Sequence, residues 1–239
     1  MHKIYFMKIL VTSDTHGMLD GLDFTGIDLA IFAGDVAKLN GRGVWQVYDQ
    51  VKWMNKQFAN MCKKWLNTKF VFIPGNHDFF PIARERFSAE LAGRNLSIKM
   101  PENCTMLIDQ EINIDGLKIY GTPWVPIISH SWAFEAEHDF LKDKFNQIPE
   151  GLDILITHSP PHIENNHMID RSLQWGVSKP FGSVELAEAI FEKKPKYVFC
   201  GHIHSGDHEK TMFNETVIYN VARVDERYEI AYEPLIIEL

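Results

Sequence analysis

Lys8-Ile9-Leu10-Val11-Thr12-Ser13-Asp14-Thr15-His16 decides how the rest of the chain is read. The first residues are short, apolar and partly β-branched, the character of a buried strand, and an Asp-x-His follows almost at once. The same order recurs along the chain. Leu29–Ala33 runs into Gly34-Asp35, and Phe70–Ile73 into Gly75-Asn76-His77-Asp78. Ile154–Thr157 runs into His158, and Tyr197–Cys200 into Gly201-His202-Ile203-His204.

Leu117–Tyr120, Val217–Asn220 and Leu235–Ile237 read as further strands. Thr105–Ile108 and Glu111–Ile114 predict a hairpin about Asp109-Gln110. Between the strands lie helices. Val47, Val51, Met54, Phe58, Met61 and Trp65 recur at three- and four-residue steps and predict a helix over Val44–Leu66 with an apolar stripe against a core. Ser183–Lys193 predicts a second, with Ser183 as N-cap, acidic residues early, Lys193 late and Pro195 as the stop. Pro160–Phe181 lacks periodicity and reads as a long surface loop. Strands alternating with helices predict a layered α/β fold. No repeat or linker divides the chain, so residues 1–239 form a single domain.

Composition narrows the function classes. Thirty-two acidic against 24 basic residues leave a net charge of −8, which argues against binding a long nucleic acid, whose phosphates reward clustered Lys and Arg. A small anionic substrate stays open, because bound metal cations reverse a local field. The 3 cysteines, Cys62, Cys104 and Cys200, are odd in number and show no C-x-x-C spacing, so they predict reduced, buried thiols in a cytoplasmic protein. No cleavable leader follows the apolar Ile4–Thr12, and no run approaches the roughly 18 apolar residues of a membrane span.

The five strand ends deliver two Asp, one Asn and five His to one edge of the sheets, where ligands of α/β folds collect. Each piece is ordinary, since a single His is most often structural; the recurrence is what carries weight. Carboxylate, amide oxygen and neutral imidazole together suit hard and borderline divalent ions. In Asp14-x-His16 and His202-x-His204, residues two apart leave a strand on the same side and can converge on one site. Gly34, Gly75 and Gly201 allow the backbone a close approach there.

In that order, Asp14-x-His16, Gly34-Asp35, Gly75-Asn76-His77-Asp78, His158 and Gly201-His202-x-His204 resemble the calcineurin-like metallophosphoesterase superfamily. Tyr120-Gly121-Thr122-Pro123-Trp124, Ile148–Leu155 and Thr157-His158-Ser159-Pro160-Pro161 resemble its small metallophosphoesterase-domain-containing (brain 239-type) branch, near the class III cyclic-nucleotide phosphodiesterases. The resemblance implies a two-sheet β-sandwich flanked by helices. It implies that Asp14, His16, Asp35 and His204 hold one metal ion and that Asp35, Asn76, His158 and His202 hold a second, with Asp35 bridging. The ions would be Mn²⁺ and/or Fe²⁺/Fe³⁺, with Zn²⁺, Ni²⁺ or Co²⁺ as alternatives. His77 would face the leaving group, and Asp78 would orient its ring. Some animal members carry Gly where His202 stands; here the histidine is present.

The expected function is therefore hydrolysis of small phosphodiesters, cyclic nucleotides among the candidates. A broad phosphomonoesterase is the alternative, and a non-catalytic scaffold a weaker one, because scaffold members lose ligands. Protein phosphatases of the superfamily place an Asp-Arg pair after the Gly-Asp; Val36-Ala37-Lys38-Leu39 stands here instead. Trp124 and His162 are candidate substrate contacts, and Arg171, Lys179 and Arg223 weaker phosphate contacts. His2, His138 and His208 read as surface residues, His130 fills no ligand slot, and His167, in the loop after His158 like His162, is a further candidate substrate contact.

Overall fold

The computed structural model describes residues 6–164, 169–172 and 179–239, and for Lys179 the backbone alone; His2, His167 and the Lys179 side chain lie outside what it describes. In chain order the strands are β1 (Lys8–Thr12), β2 (Leu29–Ala33), β3 (Lys69–Ile73), β4 (Cys104–Met106), β5 (Gln110–Ile114), β6 (Leu117–Thr122), β7 (Val125–Pro126) and β8 (Glu135–Ala136). They continue as β9 (Ile154–Thr157), β10 (Arg171–Ser172), β11 (Lys179–Pro180), β12 (Tyr197–Cys200), β13 (Thr211–Phe213), β14 (Thr216–Asn220) and β15 (Leu235–Glu238). Helices are α1 (Val44–Trp53), α2 (Ala59–Lys64), α3 (Ala83–Phe87), α4 (His138–Asn146) and α5 (Val184–Lys193).

Two sheets carry the molecule. The first has the order β15-β1-β2-β3-β4, the second β13-β14-β12-β9-β6-β5. Their central strands run parallel, with antiparallel strands at the edges: β15 in the first sheet, β13 and β5 in the second. Ile9 and Val11 of β1, Ile31 of β2 and Val71 of β3 face the other sheet and meet Ile119, Ile154, Ile156 and Phe199. The alternate residues Leu10, Ala30, Phe32, Phe70 and Phe72 point outward and pack under Val47, Val51, Met54, Phe58 and Cys62. On the far side Leu155, Val198 and Ile218 pack under Leu141 and Phe145 of α4 and Leu186 and Ile190 of α5. Both faces of each parallel strand are thus covered, which is why the strands read as unbroken apolar runs. The result is a two-sheet sandwich flanked by helices.

Three local expectations are refined. The helix over Val44–Leu66 keeps its stripe but is α1 and α2 joined by a π-helical turn at Met54–Phe58, and it ends at Lys64. The Thr105–Ile108/Glu111–Ile114 hairpin does not form. β4 instead pairs parallel with β3, and the chain crosses at Asp109 to the second sheet. The actual hairpin joins β5 and β6 through Asp115-Gly116, with φ of 49° and 98°, the Asp-Gly loop whose left-handed pair matches strand twist. Pro160–Phe181 contains the small ribbon β10–β11, pairing Arg171 with Pro180. Ser183 caps α5 as expected, accepting the Leu186 N–H at 3.1 Å. All three cysteines are free and buried, and no described helix is long and apolar enough to cross a membrane.

Candidate metal centre

Strands β1, β2, β3, β9 and β12 end side by side, and the loops leaving them turn sharply over the edge. Asp14, His16, Asp35 and His202 all hold positive φ, at 50°, 44°, 49° and 68°. Such conformations cost a non-glycine residue about 1–3 kcal/mol each and persist only where neighbours enforce them. Neighbours do so here. The backbone N–H groups of Asp14 and His16 donate to the carbonyls of Gly34 and Asp35, at 3.0 and 2.9 Å. The His202 N–H donates to Asp14 Oδ2 at 3.0 Å, and the His77 N–H to Asp35 Oδ1 at 2.8 Å. Gly75 is needed for closeness: a Cβ there would lie 2.2 Å from Asp35 Oδ1 and 2.6 Å from His158 Nε2.

The side chains converge on Asp35. Its Oδ2 lies 3.3 Å from His158 Nε2, 3.9 Å from His16 Nε2 and 4.0 Å from His77 Nε2. Beside it, Asp14 Oδ1 is 3.3 Å from His204 Nε2, which in turn is 3.4 Å from His16 Nε2. Asn76 Oδ1 is 3.0 Å from His158 Nε2, and the His202 ring lies 5.0 Å from the His158 ring, centroid to centroid. Three sets, Asp14–His16–His204, His16–Asp35–His77 and Asp14–Asp35–His158, each bring their ligand atoms within 4.8 Å of one another.

Backbone carbonyls set two of the ring tautomers. His158 Nδ1 donates to the Ala33 carbonyl at 2.9 Å, and His204 Nδ1 to the Asp225 carbonyl at 3.0 Å. A neutral ring committed in this way turns its Nε2 lone pair inward, toward carboxylate and amide oxygens that are themselves acceptors. Acceptors facing acceptors in a buried site are satisfied by a cation, a ring proton in the metal-free chain or a metal ion in its place, so the donor set fits divalent metal. Protonation follows the same logic. Burial presses the His16 and His202 rings down to about 4 and about 3, leaving both neutral. Burial opposes charge on Asp35 and Asp14 too, but neighbouring imidazoles hold both carboxyls below the usual range, His158 and His77 for Asp35 and His204 for Asp14. Burial also disfavours a charged His158, yet Asp35 and Asp14 outweigh it and raise that ring to about 9 in the metal-free chain.

Asp78 takes a different part from the expected one. Its carboxylate accepts N–H groups of Val36 at 3.0 Å, Ala37 at 2.9 Å and Gly75 at 2.9 Å, tying the β2 and β3 loops together. Both oxygens are thereby occupied by backbone, and among the described residues no bond joins Asp78 to the His77 ring. Burial and the Asp35 charge raise Asp78 to about 7, against the pull of those N–H groups. The His77 ring is instead held by Trp132, stacked at 4.4 Å and 22°.

Several contributors escaped the sequence reading. Gln50, buried on α1, donates Nε2 to the His77 carbonyl and accepts the Phe79 N–H on Oε1, both at 2.8 Å. Its one sequence signal is polarity inside an apolar stripe, a turn from Val47 and next to Val51. Glu135 holds the Trp132 loop by accepting the N–H groups of Ile128, Ser129 and Trp132. Tyr228 lies edge-on to His16 and His204, with centroids 4.9 and 5.3 Å away. Trp132 and Tyr228 gave no signal.

Trp124, His162 and Arg223, expected to touch substrate, have partners of their own. Trp124 donates its indole N–H to Asp109 at 2.9 Å and packs against Phe134 and Phe140, apart from the residues lining the cleft. His162 pairs with Asp170 at 2.7 Å. Arg223 is buried, and its guanidinium donates to the Met18 and Asp20 carbonyls, so it fixes the loop after His16 rather than meeting phosphate. Arg171 sits on the β10 ribbon. His138 is exposed and pairs with Glu185. His208, read as a surface residue, is half-buried: it stacks on Tyr232 and its Nε2 lies 3.1 Å from the His204 carbonyl, bracing that loop from behind.

Asp35, Asn76, His202 and His204 open into a cavity of about 220 Å³. His16 opens into a larger one of about 650 Å³, and His77, Trp132 and Tyr228 form the ridge shared by both.

UPF0046 protein C25E10.12 of Caenorhabditis elegans is 33% identical over 98% of this chain and 81% of its own length. The human Metallophosphoesterase domain-containing protein 1 is 29% identical over 98% of this chain and 71% of its own. The crystal structure of TT1561 from Thermus thermophilus has the same fold, with a TM-score of 0.57 at 15% identity over 90% of this chain and 89% of that one. The family model described as calcineurin-like phosphoesterase matches residues 7–206, and the chain belongs to that family.

Proposed function

We propose that the chain is a dinuclear metal-dependent phosphodiesterase acting on small diesters, with Asp35 shared between two ions. The observation that carries this reading is the convergence of His158 and His16 Nε2 on Asp35 Oδ2, at 3.3 and 3.9 Å, in a buried site rich in acceptor atoms. Asp14, His16 and His204 complete one ligand set; Asn76, His158 and His202 complete the other. Mn²⁺ or Fe²⁺/Fe³⁺ suits this mixture of oxygen and imidazole.

Bound ions would supply an acidified water and neutralise phosphate oxygens. The remaining work falls to the chain. His77 stands on the ridge between the cavities, its ring clamped by Trp132, and faces the position of the leaving oxygen. Burial keeps its ring neutral, so its part is to donate an N–H bond to that oxygen as the P–O bond breaks. Asp78 and Gln50 keep the loops at fixed separation, which preserves the alignment on which in-line attack depends.

A diester carries one negative charge, and Val36-Ala37-Lys38-Leu39 lacks the Asp-Arg pair that in protein phosphatases clamps the phosphate directly after Gly-Asp. Cyclic nucleotides belong to this class. The free, buried thiols fit a reducing, cytoplasmic setting. The test compares bis(4-nitrophenyl) phosphate, 4-nitrophenyl phosphate, and 2′,3′- and 3′,5′-cyclic AMP with Mn²⁺ added. The expected result is a higher kcat/KM for at least one diester. A monoester preferred over every diester would make the chain a phosphomonoesterase, and no turnover of any ester would favour a scaffold.

A further inference from the structure

The larger cavity has a wall that the metal centre does not use. Lys38 and Arg42 line it, together with Met18 and Leu39 and with His77, Trp132 and Tyr228 of the ridge. Arg42 is held in place: its guanidinium lies over the Trp132 ring, 4.5 Å from the centroid, and one N–H donates to Ser131 Oγ. Trp132 is therefore sandwiched between His77 and Arg42. A guanidinium has five N–H donors, and Ser131 is its only hydrogen-bond partner among the described residues. Lys38 has no carboxylate partner among them either. In a chain of net charge −8, two such cations on one cavity wall are a local inversion of sign.

Position assigns this wall to one side of the reaction. Asp35, Asn76, His202 and His204 line the smaller cavity, whereas Lys38 and Arg42 line the larger. Passing from one to the other crosses His77. If phosphate sits over the metal ligands and His77 meets the leaving oxygen, the leaving alcohol extends into the larger cavity. At about 650 Å³ it holds more than a methyl or a hydroxyl. Met18, Leu39 and Trp132 offer that alcohol an apolar floor, and the two cations await a charge beyond it.

Resting on the phosphodiesterase reading, we propose that Lys38 and Arg42 form a subsite for an anionic substituent, carboxylate or phosphate, on the leaving alcohol of the substrate. The reaction is simple hydrolysis. A P–O bond forms to the oxygen of water, the P–O bond to the alcohol breaks, and the alcohol departs with a proton and its anionic group. The subsite's recognition is geometric as well as electrostatic: Arg42, fixed over Trp132, presents a planar fork suited to a bidentate anion.

The test uses the metal-loaded full chain and two esters of matched shape, methyl 3-carboxyphenyl phosphate and methyl 3-carbamoylphenyl phosphate; a 3-phosphono ester separates carboxylate from phosphate recognition. The wild type is expected to favour an anionic ester over the neutral one by tenfold or more in kcat/KM. Arg42→Gln is expected to reduce that ratio about tenfold, with Lys38→Gln smaller, the effect fading with added salt as charge screening requires. Circular dichroism and metal content report that each variant is folded and loaded. Turnover of the neutral ester at a rate equal to or above both anionic ones overturns the subsite and leaves the phosphodiesterase reading standing. Failure to turn over any of the three overturns both. An unchanged ratio in folded, loaded Arg42→Gln likewise removes Arg42 from recognition.

Discussion

Replacing Gln50 by Met removes its two short hydrogen bonds, and a longer one of 3.4 Å to the Lys38 carbonyl, while keeping side-chain volume close to native. The Phe79 N–H loses its acceptor and the His77 carbonyl its donor, each from a 2.8 Å contact. Gln50 is buried, with 2% of its surface exposed, so water cannot replace it. A buried polar group left without a partner costs about 1–3 kcal/mol, which puts the loss at roughly 2–6 kcal/mol. Domains of this kind hold only about 5–15 kcal/mol, so the variant should fold but unfold much earlier in denaturant. Met54→Leu is the control: it is buried in the same helical segment and swaps one apolar shape for another, costing less than about 1.5 kcal/mol. The assay is urea unfolding of the chain, followed by circular dichroism, alongside turnover of the metal-loaded form. Because the two short bonds bracket Asp78 and anchor His77, turnover should fall as well, more for an alkoxide than for a nitrophenolate leaving group. A Gln50→Met unfolding free energy within about 0.5 kcal/mol of wild type, the range of a neutral surface change, refutes the assignment of Gln50 as the brace of this loop.

Asp35→Ala should abolish turnover and lower metal content at both positions, whereas His16→Ala should weaken one; elemental analysis of Mn²⁺-loaded protein reads the difference, and equal losses in both variants remove the bridge. His77→Ala should keep its metals and lose rate by about 10²–10⁴ on a ribose alkoxide, the usual range for proton-transfer catalysis, and far less on nitrophenolate; equal losses on both leave His77 a positioning role only. The metal-free chain should lose stability as pH rises from about 6.5 to about 9, because His158 titrates near 9 when folded and near 6.5 when unfolded. Its charged form thus stabilises the fold fully below about 6.5 and ceases to do so above about 9. Unfolding of chelator-treated protein across that window should show the decline, and His158→Gln should flatten it.

The sequence alone determined the strand ends and what they carry. Lys8–Thr12, Leu29–Ala33, Ile154–Thr157 and Tyr197–Cys200 were legible to the residue, because strands covered on both faces must be apolar throughout and polar residues then mark where each one ends. The candidate ligand types were legible for the same reason: they stand at once after those runs, where local chemistry and local position coincide. The hairpin at Asp109-Gln110 was misread because two adjacent strands look alike whether they pair with each other or with different sheets. Only the packing of the two sheets decided that β4 completes one and β5 the other. Asp78 was legible as a site residue but not in its role, since three backbone N–H groups, from Val36, Ala37 and Gly75, claim its oxygens once the β2 and β3 loops lie together. Trp132, Tyr228 and Arg42 lay beyond local reading altogether. Trp132 and Tyr228 reach the cleft, and Arg42 the larger cavity beside it, from loops with no pattern of their own, and a contact between residues far apart in the chain exists only after the sheets have brought their loops to one edge.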